Sequence, residues 1–390
     1  MPATPPAPLR FLPAGVWALG FVSLLMDASS ELVHSLLPLF LASTLGASVV
    51  TIGVLEGVAE ATASCAKMFS GALSDRLGKR KGLVVAGYGL AMLSKPLFPL
   101  AASVTWVFTA RFLDRIGKGI RGAPRDALVA EITPPAQLGA AYGLRQALDS
   151  VGAFVGPLLA VVLMLGFSND IRTVLWFALV PAVMAVTLLV LAVAEPASPG
   201  TLPPVARVRL AELPRRYWAV VAVGGVFTLA RFSEAFLVLR AQDVGLVIAY
   251  VPAVLVVMNI AYAATAYPAG RLADRMSPRT LLVLGLLVLV CADLVLATAS
   301  TPVQVLVGAG CWGLHMALTQ GVLAKLVAES APARALGTAF GVFHLVTGAA
   351  LLAASLIAGA LWSAFGPSAA FLAGGLFSAV AAVGVVTVRA

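Results

Sequence analysis

The chain has 390 residues, 61% of them hydrophobic and only 11% charged, with a formal net charge of +9 and a mean hydropathy of +1.00. A soluble domain carries close to a quarter charged residues, so this composition excludes one and points to an all-α integral membrane protein. The positive charge is distributed over connections rather than gathered on one soluble face, which argues against nucleic acid as a partner.

A helix needs about 20 apolar residues to cross a hydrocarbon core of roughly 30 Å. Twelve such transmembrane spans are expected, over 14–42, 48–73, 82–102, 104–129, 138–165, 172–194, 217–240, 245–271, 279–298, 302–328, 335–362 and 367–388. The opening MPATPPAPLR is Pro-rich and expected to be disordered; it lacks the basic start and small-residue cleavage site of a signal peptide, so the first helix is expected to be retained. Arg10, the Arg76/Lys79/Arg80/Lys81 cluster, Arg207, Arg209, Arg215, Arg216, Arg275, Arg279, Arg334 and Arg389 fall on alternate connections, with Arg172 and Arg240 as exceptions near span ends. Because short cytoplasmic loops are enriched in Lys and Arg, both termini are expected in the cytoplasm and the protein in the cytoplasmic (inner) membrane.

In helix one, Asp27, Glu31 and His34 are spaced i, i+4, i+7 on one face, beside Ser23 and Ser30. Carboxyl groups taken out of water favour their neutral form and can trade protons near neutral pH, so this face reads either as a proton relay or as a set of counter-ions. Glu56 and Glu60, one turn apart in helix two, and Lys67 below them admit the same two readings. The turn GALSDRLGKRK, 71–81, follows: Gly71 permits close helix approach, Asp75 can complement the start of helix three, and the basic cluster holds the turn on the cytoplasmic side.

Helix four carries seven charges between Arg111 and Asp126. Facing lipid they would cost on the order of 20 kcal/mol in total. At roughly 100° per residue, Arg111, Asp114, Arg115, Lys118, Arg121 and Arg125 fall within an arc of about 140°, with Phe112, Leu113, Ile116 and Ile120 outside it. Arg121, Arg125 and Asp126 stand at the cytoplasmic end, where solvation is an equal alternative. In helix five, Arg145 and Asp149 form an i, i+4 pair ahead of GAFVGP, 152–157, whose glycines allow close packing and whose Pro157 allows a bend.

The polar stretch 195–216 divides the chain into an N-terminal six-helix bundle, 1–194, and a C-terminal one, 217–390. Across it the sequence repeats: GALSDR at 71–76 matches GRLADR at 270–275, and LMDASSE in helix one matches LARFSEA in helix seven. The second turn keeps Asp274 and Arg275 but has Ser277 and Pro278 in place of Gly78. Cys65, Cys291 and Cys311 show no metal-like spacing and read as packing residues.

The turn motif, the repeat, the span number and the linker position together resemble the major facilitator superfamily of secondary transporters, over the whole chain. The resemblance implies two pseudo-symmetric bundles that rock about a central site, with helices one, four, seven and ten lining it. It implies a gating role for Gly71, Asp75, Arg76, Gly78, Arg80, Arg145, Asp149, Asp274 and Arg275. Asp27, Glu31, His34, Glu56, Glu60, Arg111 and Asp114 become candidates for proton coupling. Arg115, Lys118, Arg231, Glu234, Trp312, His315 and Gln320 become candidates for substrate contact. Arg111 matches the family's helix-four motif, whereas Asp114 and Arg115 stand where Gln and Gly are expected. Gly152, Gly156 and Pro157 match the antiporter motif, but Ala160 and Val161 replace its final glycines.

The function expected is proton-coupled export of a small anionic or zwitterionic organic solute by a monomer, with neither cofactor nor resident metal. The alternatives are symport of an organic anion or metal chelate, metal-ion transport on His34, His315 and His344, and a non-transporting receptor. No HExxH, GxSxG or Walker loop is present, which argues against an enzyme or an ATP-driven pump.

Overall fold

Hydroxyl caps mark where several helices begin. Ser103 accepts from the Trp106 amide at 3.3 Å, Ser277 accepts from Thr280 at 3.1 Å, and Thr301 with Gln304 forms a capping box. The computed structural model describes residues 12–77, 80–134, 138–195, 210, 213–273, 276–331 and 336–387. Among these residues the secondary structure is helical, without strands. In chain order the helices are α1 (Ala14–Leu39), α2 (Val49–Leu77), α3 (Lys81–Ser94), α4 (Val104–Ile132), α5 (Leu138–Gly166), α6 (Ile171–Trp176), α7 (Leu179–Ala192), α8 (Arg215–Leu229), α9 (Ala235–Asp243), α10 (Ala253–Ala273), α11 (Pro278–Thr298), α12 (Pro302–Ser330), α13 (Leu336–Phe365) and α14 (Pro367–Thr387).

Nine helical segments among the described residues are long and apolar enough to cross a membrane by composition alone. The remaining expected spans fall short for physical reasons. The charges of α4 lower its hydropathy, and α3 gives way to a tight 3-10 turn at Lys95–Leu97. The seventh span, expected as one helix over 217–240, is interrupted between α8 and α9 at residues 230–234, without a proline or glycine in ARFSE. Tertiary bonding holds that break: Ser355 Oγ on α13 accepts from the Ser233 amide at 3.2 Å, and Ser233 Oγ accepts from the Ala235 amide at 3.2 Å. The sixth span is likewise divided, into α6 and α7.

By packing, the chain divides into two compact units. The first comprises Met1–Val33, Cys65–Gly156 and Ile171–Ala206; the second comprises His34–Ser64, Pro157–Asp170 and Arg207–Ala390. In the first, Val16, Leu19, Val22 and Met26 of α1 pack with Val84 and Tyr88 of α3, Leu128 of α4 and Leu189 of α7. α3 and α4 cross at Gly87 and Gly117, where an added Cβ would lie 2.7 Å from the facing backbone. In the second, Tyr217 and Val221 of α8 pack with Val342 and Phe343 of α13, while Leu282 and Leu286 of α11 meet Ala381 and Ala382 of α14. The first half of α2 also lies on α13 here: a Cβ on Gly57 would stand 2.8 Å from Leu352 Cα, and one on Gly53 2.6 Å from Ser355 O.

Candidate functional site

The polar side of α4 is the chemical centre of the first unit. Arg111, Asp114, Arg115 and Arg121 are buried, whereas Phe112 between them is exposed. Asp114 is 2% exposed and is gripped from both sides. Lys95 Nζ donates to its Oδ1 at 2.8 Å, and Arg115 donates to its Oδ2 through Nη2 at 2.8 Å and Nε at 3.1 Å. Lys95, itself 1% exposed, also donates to Ser30 on α1 at 3.1 Å. Such shared, fully desolvated bonds hold the α3 terminus, α4 and α1 in one geometry.

Further along the same face, Arg121 Nη2 stands 3.5 Å from Asp27 Oδ1, and its guanidinium lies 4.5 Å from the centre of the Tyr88 ring. Arg125 donates to Ser23 at 2.8 Å and lies 3.2 Å from Asp126. Arg145 donates to Asp149 at 2.8 Å, and Arg125 approaches the other oxygen of Asp149 at 3.9 Å. Carboxylates of α4, α1 and α5 thus answer the run of cations along α4. Lys118, halfway along, is exposed, and it lies within the electrostatic reach of Asp27.

Two glycines bring α5 onto this part of α1. A Cβ on Gly152 would lie 2.6 Å from Leu24 O and 3.0 Å from Asp27 Cβ, and one on Gly156 would lie 2.6 Å from Ala28 O and 2.7 Å from Glu31 Cβ. The GAFVGP stretch therefore forms the wall behind both carboxylates. α2 continues through the expected turn as far as Leu77, and within it Gly71 faces Ala123 of α4 and Ser70 donates to Gly119 O at 2.8 Å. Arg80 pairs with Glu131 at 2.8 Å, and Glu195 accepts from the Arg80 and Lys81 amides at 2.8 and 3.0 Å, capping α3. The side chains of Asp75 and Arg76, together with Gly78, Asp274, Arg275, the basic residues Arg207, Arg209, Arg334 and Arg389, and most of the linker, lie outside the described residues.

In the second unit, His34 Nε2 stands 3.6 Å from Glu56, joining the end of α1 to α2. Glu60, one turn on, is half-buried. His34 thus turns to Glu56, while Asp27, on the same predicted face of α1, answers Arg121. Arg231 and Glu234 lie within the break between α8 and α9 and are half-buried. Trp312 is enclosed, 5.4 Å from the Phe232 ring, and the Nδ1 of buried His315 lies 2.7 Å from Gly285 O. Gln320 is half-buried, and among the described residues no three of His, Cys, Asp and Glu converge into a metal-binding group. Lys95, Glu131, Glu195 and Asp293 enter from the structure alone. A lysine inside a predicted span is the available sequence signal for the first, and an acidic residue inside one is the signal for the last.

The pattern described by "Major Facilitator Superfamily" matches residues 19–258 and 219–389. The chain belongs to that superfamily. It is 32% identical over 377 residues to an uncharacterised MFS-type transporter of Methanocaldococcus jannaschii, covering 95% of this chain and 94% of the relative. The multidrug resistance protein MdtH of Photorhabdus laumondii is 28% identical over 162 residues, 42% of this chain and 39% of that protein. In architecture the crystal structure of the peptide transporter POT superposes with a TM-score of 0.81 at 15% identity, over 98% of this chain and 96% of that one. This protein is therefore a multi-pass membrane transporter of the major facilitator fold and not an enzyme.

Proposed function

We propose that this superfamily member is a proton-coupled exporter of a small anionic or zwitterionic organic solute. Its two six-helix bundles, 1–194 and 217–390, rock about a central site, with both termini in the cytoplasm. The observation that carries the reading is the α4 charge ladder, buried along most of its length, with exposed Lys118 at its middle. Intramembrane charges are costly unless they are paired or face water, and they mark solute and proton pathways. Lys95 and Arg115 are buried and share Asp114, whereas Lys118 is exposed, so Lys118 is the cation on this face most open to an incoming anion. Asp27 and Arg121 supply a pair that a proton on Asp27 would loosen, giving coupling a physical route.

Export is supported by the partial similarity to the multidrug resistance protein MdtH and by the Gly152/Gly156 wall behind Asp27 and Glu31. The experiment is proton movement in dye-loaded proteoliposomes challenged with a panel of membrane-impermeant organic anions and zwitterions. The reading expects a solute-dependent pH change that is lost in Asp27→Asn. Solute flux with no accompanying proton movement would refute the coupling.

A further inference from the structure

Asp293, on α11, is 0% exposed, and neither carboxyl oxygen has a hydrogen-bond partner among the described residues. The helix opposite it, α14, presents Gly374 and Gly375. A Cβ on Gly374 would lie 3.0 Å from Asp293 Oδ2 and 2.9 Å from Phe232 Cε1, and one on Gly375 would lie 3.4 Å from Asp293 Cβ. The glycines leave room for this carboxyl and for little else. Aromatic rings close the surroundings, since Phe232 packs 5.4 Å from Trp312 and 5.3 Å from Phe371.

No described cation answers this acid. α11 packs on α12 and α14. α14 contains no titratable side chain. From α12, His315 faces α11 but lies against Gly285 O, two turns from Asp293. Arg240 of α9 reaches the C-terminal end of α11, about one turn beyond Asp293, where its donors are committed to Leu296 O, Ala299 O and Asp243. Two further buried groups on the packed helices, Trp312 Nε1 and Ser378 Oγ, also lack partners among the described residues.

A bare carboxylate sealed among hydrocarbon and aromatic surfaces is far less favourable than the neutral acid. A hard metal cation would need about six or more oxygen ligands, and among the described residues the buried side-chain oxygens of these helices without a partner are those of Asp293 and Ser378. A proton needs one. We propose that Asp293 is a proton-binding site of the C-terminal half, separate from the α4 ladder, which holds its proton while α11 and α14 are packed as here. The site goes beyond the coupling route on α1 and α4 and does not depend on it.

Infrared spectroscopy of the purified, detergent-solubilised protein at neutral pH tests the site without any solute. The expected result is a protonated-carboxyl C=O band, shifted by deuterium exchange, that is lost in Asp293→Asn and kept in Asp27→Asn. The amide has the shape of the neutral acid, so this variant is expected to fold. Should it not, Asp293→Glu in protein carrying ¹³C-carboxyl aspartate assigns the band: it must lie at the labelled frequency in the wild type and return to the unlabelled one in the variant. A spectrum with only ionised aspartate bands, or a band indifferent to Asp293→Asn, overturns the proposal.

Discussion

Asp114 is the residue on which the first unit's charges balance. It meets Lys95 and Arg115 at 2.8 Å each, with all three side chains at most 3% exposed. Breaking a buried pair leaves a charge without compensation, so Asp114→Asn is expected to cost about 3–5 kcal/mol. Lys95→Met combined with Asp114→Asn should recover part of that loss, and a double-mutant cycle on thermal midpoints measures the difference. Strictly additive losses would show that the two residues do not interact. The stripe was legible in the sequence because its charges recur at helical spacing within an apolar run. Lys95 was not, since a single lysine before Pro96 has no periodic partner, and only the fold brings it to Asp114.

At the scale of elements, two contacts set where the functional helices lie. Gly152 and Gly156 seat α5 directly on the α1 backbone, and Gly156→Ala must push Ala28 and Glu31 aside, at about 1–3 kcal/mol. A lower thermal midpoint together with a changed Asp27 environment is expected; an unchanged midpoint would mean that α5 yields freely. The break between α8 and α9 depends on Ser355, so Ser355→Ala should cost about 1 kcal/mol. Hydrogen exchange at Ser233 should quicken while α8 is unaffected, and equal protection in the variant would contradict that assignment. The spans themselves follow from runs of apolar residues. This interruption does not, because ARFSE contains neither breaker residue and the deciding hydroxyl lies 122 positions away.

For the molecule as a whole, alternating access requires packed faces that separate. On the proposed function, the first half of α2 against α13 is a candidate for such a face, with a Cβ on Gly57 placed 3.3 Å from Leu352 Cβ. That spacing is close to what a disulfide needs. In a background lacking Cys65, Cys291 and Cys311, Gly57→Cys with Leu352→Cys should oxidise readily and arrest solute-dependent proton movement until reduced. Transport that continues through a completed cross-link would show that this face does not open. The repeat and the linker suggest two bundles divided at 195–216, whereas the compact units interleave along the chain, because contacts such as that of α2 with α13 pair residues almost 300 positions apart and carry no local signal.

The central claim is that the α4 face receives an anionic solute, and ligand-induced thermal stabilisation tests it most directly, because selective binding to the folded state raises its stability. Purified wild-type and Lys118→Gln protein would be heated at pH 6 and pH 8 with small organic anions, zwitterions, hydrophobic cations and metal chelates. The account predicts stabilisation of the wild type by particular anions or zwitterions, and its loss in Lys118→Gln. Stabilisation by hydrophobic cations alone, or by anions to the same extent in both proteins, would contradict it.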